Sequence, residues 1–230
     1  MRPQDIVELS LFNMEDRSQK PLRLAFIGMS GAGKTFWTRL LASAGYESVC
    51  CDQQIEARLA VNLANGGFGG INGVAAWMGW PDSPTYAERE SDYLANETAV
   101  LDEVLTRLEK NPTESLVLDT TGSIIYTGNN LLMRLRRHTT LVYLAASPEE
   151  RQMLIERYLN DPKPVLWRGA FQPRPGEKPR DTVVRCYPAL MAARRQSYEA
   201  LAHCTIPLGE LRTMPQTAEA FLERVQQGLT

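Results

Sequence analysis

Gly28-Met29-Ser30-Gly31-Ala32-Gly33-Lys34-Thr35 fits the pattern G-x-x-x-x-G-K-[ST] at every constrained position. Ahead of it stands Leu22-Arg23-Leu24-Ala25-Phe26-Ile27, mostly apolar and of strand length. Behind it, Phe36-Trp37-Thr38-Arg39-Leu40-Leu41-Ala42 sets apolar residues at helical spacing. Strand, loop and helix thus occur in the order that a phosphate-binding P-loop requires. Glycines at 28, 31 and 33 let the backbone turn successive N–H groups inward, and the N-terminus of the following helix adds partial positive charge. The product is a nest for a polyanion, in which Lys34 reaches the outer phosphates and the Thr35 hydroxyl ligates Mg²⁺. The loop does not say which molecule receives the phosphate, or whether water does.

The rest of the composition narrows the partners. A chain of 230 residues is long enough for one sizeable α/β domain and short for two. Its 43% hydrophobic and 23% charged content are those of a soluble globular protein, and a formal net charge of −2 gives no reason to expect a nucleic-acid or membrane surface. A small-molecule partner is expected. Cys50, Cys51, Cys186 and Cys204 lack a metal-ligand spacing and read as reduced, packed thiols. With no apolar run of bilayer length and no secretory h-region, a cytoplasmic location is expected.

Residues 1–20 read as an N-terminal extension and 21–230 as a single domain. A short strand over 47–51 leads to Asp52, and a helix is predicted over 53–63. The glycine cluster that follows, Asn65-Gly66-Gly67-Phe68-Gly69-Gly70-Ile71-Asn72-Gly73, reads either as a mobile surface loop or as backbone made for close approach to a ligand. Trp77 and Trp80 suggest packing or a pocket wall, so 65–85 is taken as an insertion. A long helix is predicted over 88–108, stopped at Asn111-Pro112. Leu116-Val117-Leu118 is a buried-strand run ending in Asp119, and 140–145 is another strand. Ser147-Pro148-Glu149-Glu150 opens a helix with a cap, a first-turn proline and acids. Residues 161–180, rich in Pro, Gly, Lys and Arg, read as a lid. A helix over 182–202, a strand at 204–207 and a helix over 217–227 close the chain. Strands alternating with helices predict a five-stranded parallel sheet with helices on both faces, with ligands beyond the carboxyl ends of the strands.

Two carboxylates fall at those ends. Asp119 has the position of an acid that organises Mg²⁺, though strand ends also favour turn and capping aspartates. Asp52 either accepts a proton from an attacking hydroxyl or caps the helix after it.

With those residues in place the chain resembles shikimate kinase, a P-loop kinase related to nucleoside monophosphate kinases. The resemblance runs over 22–228. It rests on Ile27 through Thr35, Cys51-Asp52-Gln53-Gln54-Ile55-Glu56, Leu118-Asp119-Thr120-Thr121-Gly122-Ser123, Lys163-Pro164-Val165-Leu166 and Arg194-Arg195-Gln196-Ser197-Tyr198. It implies a P-loop NTPase fold with sheet order 2-3-1-4-5, ATP and Mg²⁺ as cosubstrates, a mobile lid, and phosphoryl transfer to an alcohol. Position by position, it implies Asp52 as the aspartate that meets the substrate hydroxyl, Arg194 as the arginine that holds a substrate carboxylate, and Lys163 in place of a lid arginine. Arg157 lies one residue from the place of the arginine that stacks on adenine, and Gly122 lies in the substrate-binding glycine segment. The departures concern the acceptor. Cys50 stands where the family has a second aspartate, Thr121-Gly122-Ser123 replaces a triple glycine, and in Tyr86-Ala87-Glu88-Arg89-Glu90 alanine takes the place of a carboxylate-binding arginine. Losing one arm of such a clamp costs on the order of a few kcal/mol, which argues against shikimate itself.

The sequence therefore predicts an ATP- and Mg²⁺-dependent kinase acting on a small hydroxylated molecule. Lys34 and Asp52 are its expected catalytic pair and Thr35 and Asp119 its metal-organising residues. Gly122, Arg194, Lys163 and Arg168 are placed on the substrate side. The rival expectation is a nucleotide-binding regulatory module without turnover.

Overall fold

The computed structural model describes residues 21–229, and the expected N-terminal extension lies outside the described residues. The apolar runs form five parallel strands: β1 (Arg23–Ile27), β2 (Ser48–Cys50), β3 (Leu116–Asp119), β4 (Thr140–Ala145) and β5 (Cys204–Pro207). Their order in the sheet is β2-β3-β1-β4-β5, as the resemblance implied. The near-continuous apolarity of the three central strands has a plain cause, since both faces of a parallel sheet are covered and alternate side chains enter two separate cores. Ala25, Ile27, Leu116, Leu118, Leu141 and Tyr143 point into the larger core. Leu24, Phe26, Val117, Val142 and Leu144 point into the smaller one.

Helices close both faces. The smaller core is capped by α1 (Lys34–Ser43) and, near the C-terminus, by α9 (Leu208–Thr213) and α10 (Ala218–Gln227). There Trp37 stacks on Phe221 with ring centroids 4.5 Å apart. The larger core is covered by α5 (Tyr86–Lys110), α6 (Asn129–His138), α7 (Pro148–Asn160) and α8 (Pro179–Leu201). The Ser147 cap forms as predicted, as a capping box with Glu150.

Three local departures from expectation bear on function. The helix predicted over 53–63 begins earlier and is broken at Leu59 into α2 (Cys51–Arg58) and α3 (Ala60–Asn65). Asp52 therefore sits inside the first turn of α2 and does not cap it. The glycine cluster is partly helical, because Val74, Trp77 and Met78 recur at helical spacing and bury one face of α4 (Gly70–Met78) against α2 and α5. Residues 161–178 contain no helix or strand, yet they are pinned to α5. The Tyr86 hydroxyl shares its proton between the Val165 carbonyl at 2.7 Å and Glu90 Oε1 at 3.0 Å. It also accepts the Trp167 N–H at 3.0 Å, while the Arg168 N–H donates to Glu90 Oε1 at 2.9 Å. Trp167 is buried between Phe171 and Tyr187. Among the described residues no helix is long and apolar enough to cross a membrane.

Candidate active site

The glycine loop occupies the carboxyl end of β1, the central strand. Gly28, Gly31 and Gly33 have φ of 144°, 81° and 92°, values that favour glycine. At Gly28 the approach is close as well, since a Cβ there would lie 2.9 Å from the Leu144 carbonyl oxygen. Lys34 is buried and folds back so that Nζ donates to the Gly28 and Met29 carbonyls at 3.0 and 3.2 Å. Its cation is thus held over the cradle formed by Gly28 through Thr35. Ala32 N–H closes the turn on the Met29 carbonyl at 3.2 Å.

Register brings the acids to the same edge. Phe26 of β1 and Cys50 of β2 both pair with Asp119 of β3. The Thr35 hydroxyl donates to Asp119 Oδ2 at 2.6 Å, and the Cys50 thiol approaches the same oxygen at 3.7 Å. Burial first, and then the neighbouring Asp119 and Asp52 carboxylates, push the Cys50 thiol up to about 11, so it supplies no negative charge at neutral pH. Asp52 follows two residues after Cys50, half-buried, with Tyr93 donating to its Oδ1 at 3.1 Å. Burial raises its carboxyl above the ordinary range, and Asp119 adds to that; Lys34 and the Tyr93 hydroxyl oppose it. Lys34, Thr35, Asp52 and Asp119 accordingly share one electrostatic neighbourhood.

The turn after β3 lies against the loop, and a Cβ on Gly122 would touch Ser30 N and the Gly28 carbonyl at 3.5 and 3.6 Å. Arg194 is buried there, but its guanidinium donates to the Gly122 carbonyl at 3.0 Å and the Leu166 carbonyl at 2.6 Å, leaving Nε buried and unpartnered. Tyr198 donates to the same Gly122 carbonyl. Arg194 and Arg168 both lie over the Tyr126 ring, at 5.3 and 6.0 Å. Arg168 has φ of 49°, a strained value for a residue with a side chain, and its nearest acid is Glu90 at 4.0 Å. Arg157 reaches the Gly31 carbonyl at 3.5 Å and borders a cleft of about 240 Å³ lined by Gly33, Phe36, Arg212 and Gln216, beside the phosphate cradle. Lys163 stands apart from these groups, paired with Asp161 at 2.8 Å and hydrogen-bonded to Asn72.

Two residues that the sequence reading passed over belong here. Glu97 on α5 is 1% exposed, and its Oε1 accepts from the Thr121 and Ser123 hydroxyls while Oε2 has no partner. Burial pushes its carboxyl up to about 8; the Ser123 hydrogen bond and Arg194 pull it down and Asp52 pushes it up. Tyr93, one turn earlier, carries the bond to Asp52. The aromatic-to-acid spacing expected at Tyr86 and Glu90 recurs at Tyr93 and Glu97, and the structure joins the second pair to Asp52 and the first to the 165–168 backbone. Ala87, read as a lost clamp residue, is exposed on α5. In the register that meets Asp52, Leu94 stands where the arginine was sought, so that position still lacks a cation.

Oxygen ligands from a threonine hydroxyl and one carboxylate beside a phosphate cradle suit Mg²⁺, which is held by few protein groups together with phosphates and water. Among the described residues no cluster of three or more His, Cys, Asp or Glu is placed to hold a metal ion.

No family model and no curated protein sequence matches the chain. Solved structures do. A shikimate kinase from Acinetobacter baumannii, in complex with shikimate, is 25% identical, with 92% of this chain and 93% of that one covered at a TM-score of 0.53. A shikimate kinase from Bacteroides thetaiotaomicron is 18% identical, with 90% and 95% covered at 0.51. With its strand order and the glycine loop at the end of β1, the chain has a shikimate kinase-like P-loop kinase fold.

Proposed function

We propose that the protein is an ATP- and Mg²⁺-dependent kinase that transfers a phosphoryl group to a hydroxyl of a small molecule. The observation that carries this reading is the convergence of Lys34, Thr35, Asp52 and Asp119 at one end of the sheet. Inward N–H groups of the loop and Lys34 bind the β- and γ-phosphates of ATP, and Arg157 with Phe36 and Gln216 borders the adenine. The Thr35 hydroxyl and the Asp119 carboxylate would hold Mg²⁺, which would supply charge neutralisation for the transferring group. Asp52, fixed through one oxygen by Tyr93, orients the acceptor hydroxyl and takes its proton as the oxygen attacks phosphorus. Arg168, half-exposed and held over Tyr126, is the lid cation best suited to offset charge in the transition state.

The acceptor differs from shikimate in this reading, because both carbonyl-bound arms of Arg194 are committed to main chain and no arginine stands at Leu94. A transfer screen with ATP and Mg²⁺ over hydroxylated acids, sugars and nucleosides tests it. Turnover should appear on one acceptor and vanish in both Lys34→Ala and Asp52→Asn. An Asp52→Asn protein that keeps its full nucleotide response, with no acceptor phosphorylated by the wild type, would establish a regulatory module instead.

A further inference from the structure

The cleft between α4 and residues 161–165 uses none of the phosphate-site residues. Its volume of about 380 Å³ falls within the roughly 300–1,000 Å³ of small-molecule pockets. One wall is aromatic: Trp80, 37% exposed, meets Tyr158 edge to face with centroids 5.9 Å apart. Trp37, Trp77 and Trp167 are all buried. Gly79, with φ 74° and ψ −175°, ends α4 in a conformation essentially confined to glycine and redirects the chain into Trp80.

The polar side of the cleft is electrically balanced. Lys163 Nζ is 2.8 Å from Asp161 Oδ2, and Asn72 ties the pair together, donating through Nδ2 to Asp161 Oδ1 at 3.3 Å and accepting through Oδ1 from Lys163. The trio offers donors and acceptors together but no unbalanced charge. The wall formed by α4 packs directly on α2, the helix that opens with Cys51 and Asp52.

We propose that this cleft binds the non-reacting part of the phosphate acceptor, and that the acceptor is an uncharged polyhydroxylated ring of the sugar or cyclitol class. The assignment rests on the kinase reading above. A hydroxyl donates and accepts at once and so matches Asn72, Asp161 and Lys163 without disturbing their balance. The C–H face of such a ring suits the electron-rich face of Trp80. A carboxylate would meet Asp161 beside a lysine already neutralised, and an ammonium group would meet that lysine; both pay desolvation without a free counter-charge.

Binding to the full chain, with a non-hydrolysable ATP analogue present, tests this through acrylamide quenching of tryptophan fluorescence. The neutral probes are D-glucose, D-xylose and myo-inositol; the charged ones are D-glucuronate, D-glucosamine and shikimate. A neutral probe should shield Trp80 and bind at least about tenfold more tightly than its charged analogue. Followed by calorimetry, Trp80→Ala and the exposed-site variant Asn72→Ala should each weaken that neutral probe by about tenfold while nucleotide affinity stays unchanged. The proposal is overturned by equal or tighter binding of the charged probes, by shielding from none of the panel, or by affinity indifferent to folded Asn72→Ala. Shielding by a neutral probe without any phosphate transfer would uphold the cleft and sink the kinase reading. Transfer to an acceptor whose KM ignores both substitutions would do the reverse.

Discussion

Glu97→Gln probes the acid buried next to the candidate base. Below about pH 4.5 the Glu97 carboxyl is protonated in both the folded and the unfolded chain and does not tilt the balance. As the pH rises the unfolded chain releases this proton, while the folded chain keeps it until about pH 8. The folded state binds more protons across that window, so stability falls with rising pH, by about 1.4 kcal/mol per unit for this group alone. Over the full interval the loss comes to about 5 kcal/mol. Glutamine retains an oxygen for the Thr121 and Ser123 hydroxyls and cannot ionise. Urea unfolding of both proteins from pH 5 to 8.5 should give curves within about 1–2 kcal/mol of each other at the acid end, allowing for the amide left in the Oε2 position. They should diverge as the pH rises, with the variant the more stable by about 3–5 kcal/mol near pH 8. Parallel curves would refute the reasoning and mean that Glu97 is ionised and compensated in the fold.

Asp119→Asn should lower nucleotide affinity about 10–100-fold when Mg²⁺ is present and little when it is chelated, as read by calorimetry under both conditions; equal losses in the two would separate Asp119 from the metal. Tyr86→Phe removes the hydroxyl that joins Val165, Trp167 and Glu90, and should cost about 1–3 kcal/mol and expose 161–178 to limited proteolysis while α5 stays protected. An unchanged digestion pattern would mean that the packing of Trp167 alone holds the segment.

The parts of the fold legible in the sequence are those written in local pattern. The loop from Gly28 to Thr35 is recognisable from its spacing alone, and the runs at 24–27, 116–118 and 141–144 read as buried strands by their length and apolarity. Asp119 is legible because it closes the run at 116–118, and Asp52 because it follows the short strand candidate at 47–51; register then sets Cys50, two residues before Asp52, beside Asp119. Glu97 escaped notice because a single acid inside a 25-residue amphipathic helix looks like a solvated residue until Thr121 and Ser123 are brought to it from a distant turn. Tyr86–Glu90 and Tyr93–Glu97 share one spacing, and only tertiary packing separates them, setting the first against the 165–168 backbone and the second beside Asp52 and the turn after β3. The glycine-rich stretch hid α4 because glycine disfavours helix by about 1 kcal/mol per residue, a deficit offset here by burial of Val74, Trp77 and Met78.

The pairing of Cys50 with Asp119 across β2 and β3 has one more consequence. At the carboxyl edge of a parallel sheet, side chains on adjacent strands end within a few ångströms of one another, so an acid absent from one strand can be replaced by an acid on its neighbour with the local charge scarcely displaced. In sequence Cys50 and Asp119 are 69 residues apart, so their adjacency appears only once the sheet has formed. A tally of carboxylates by location in space therefore places Asp119 beside the β2 tip, where the Cys50 thiol carries no charge at neutral pH.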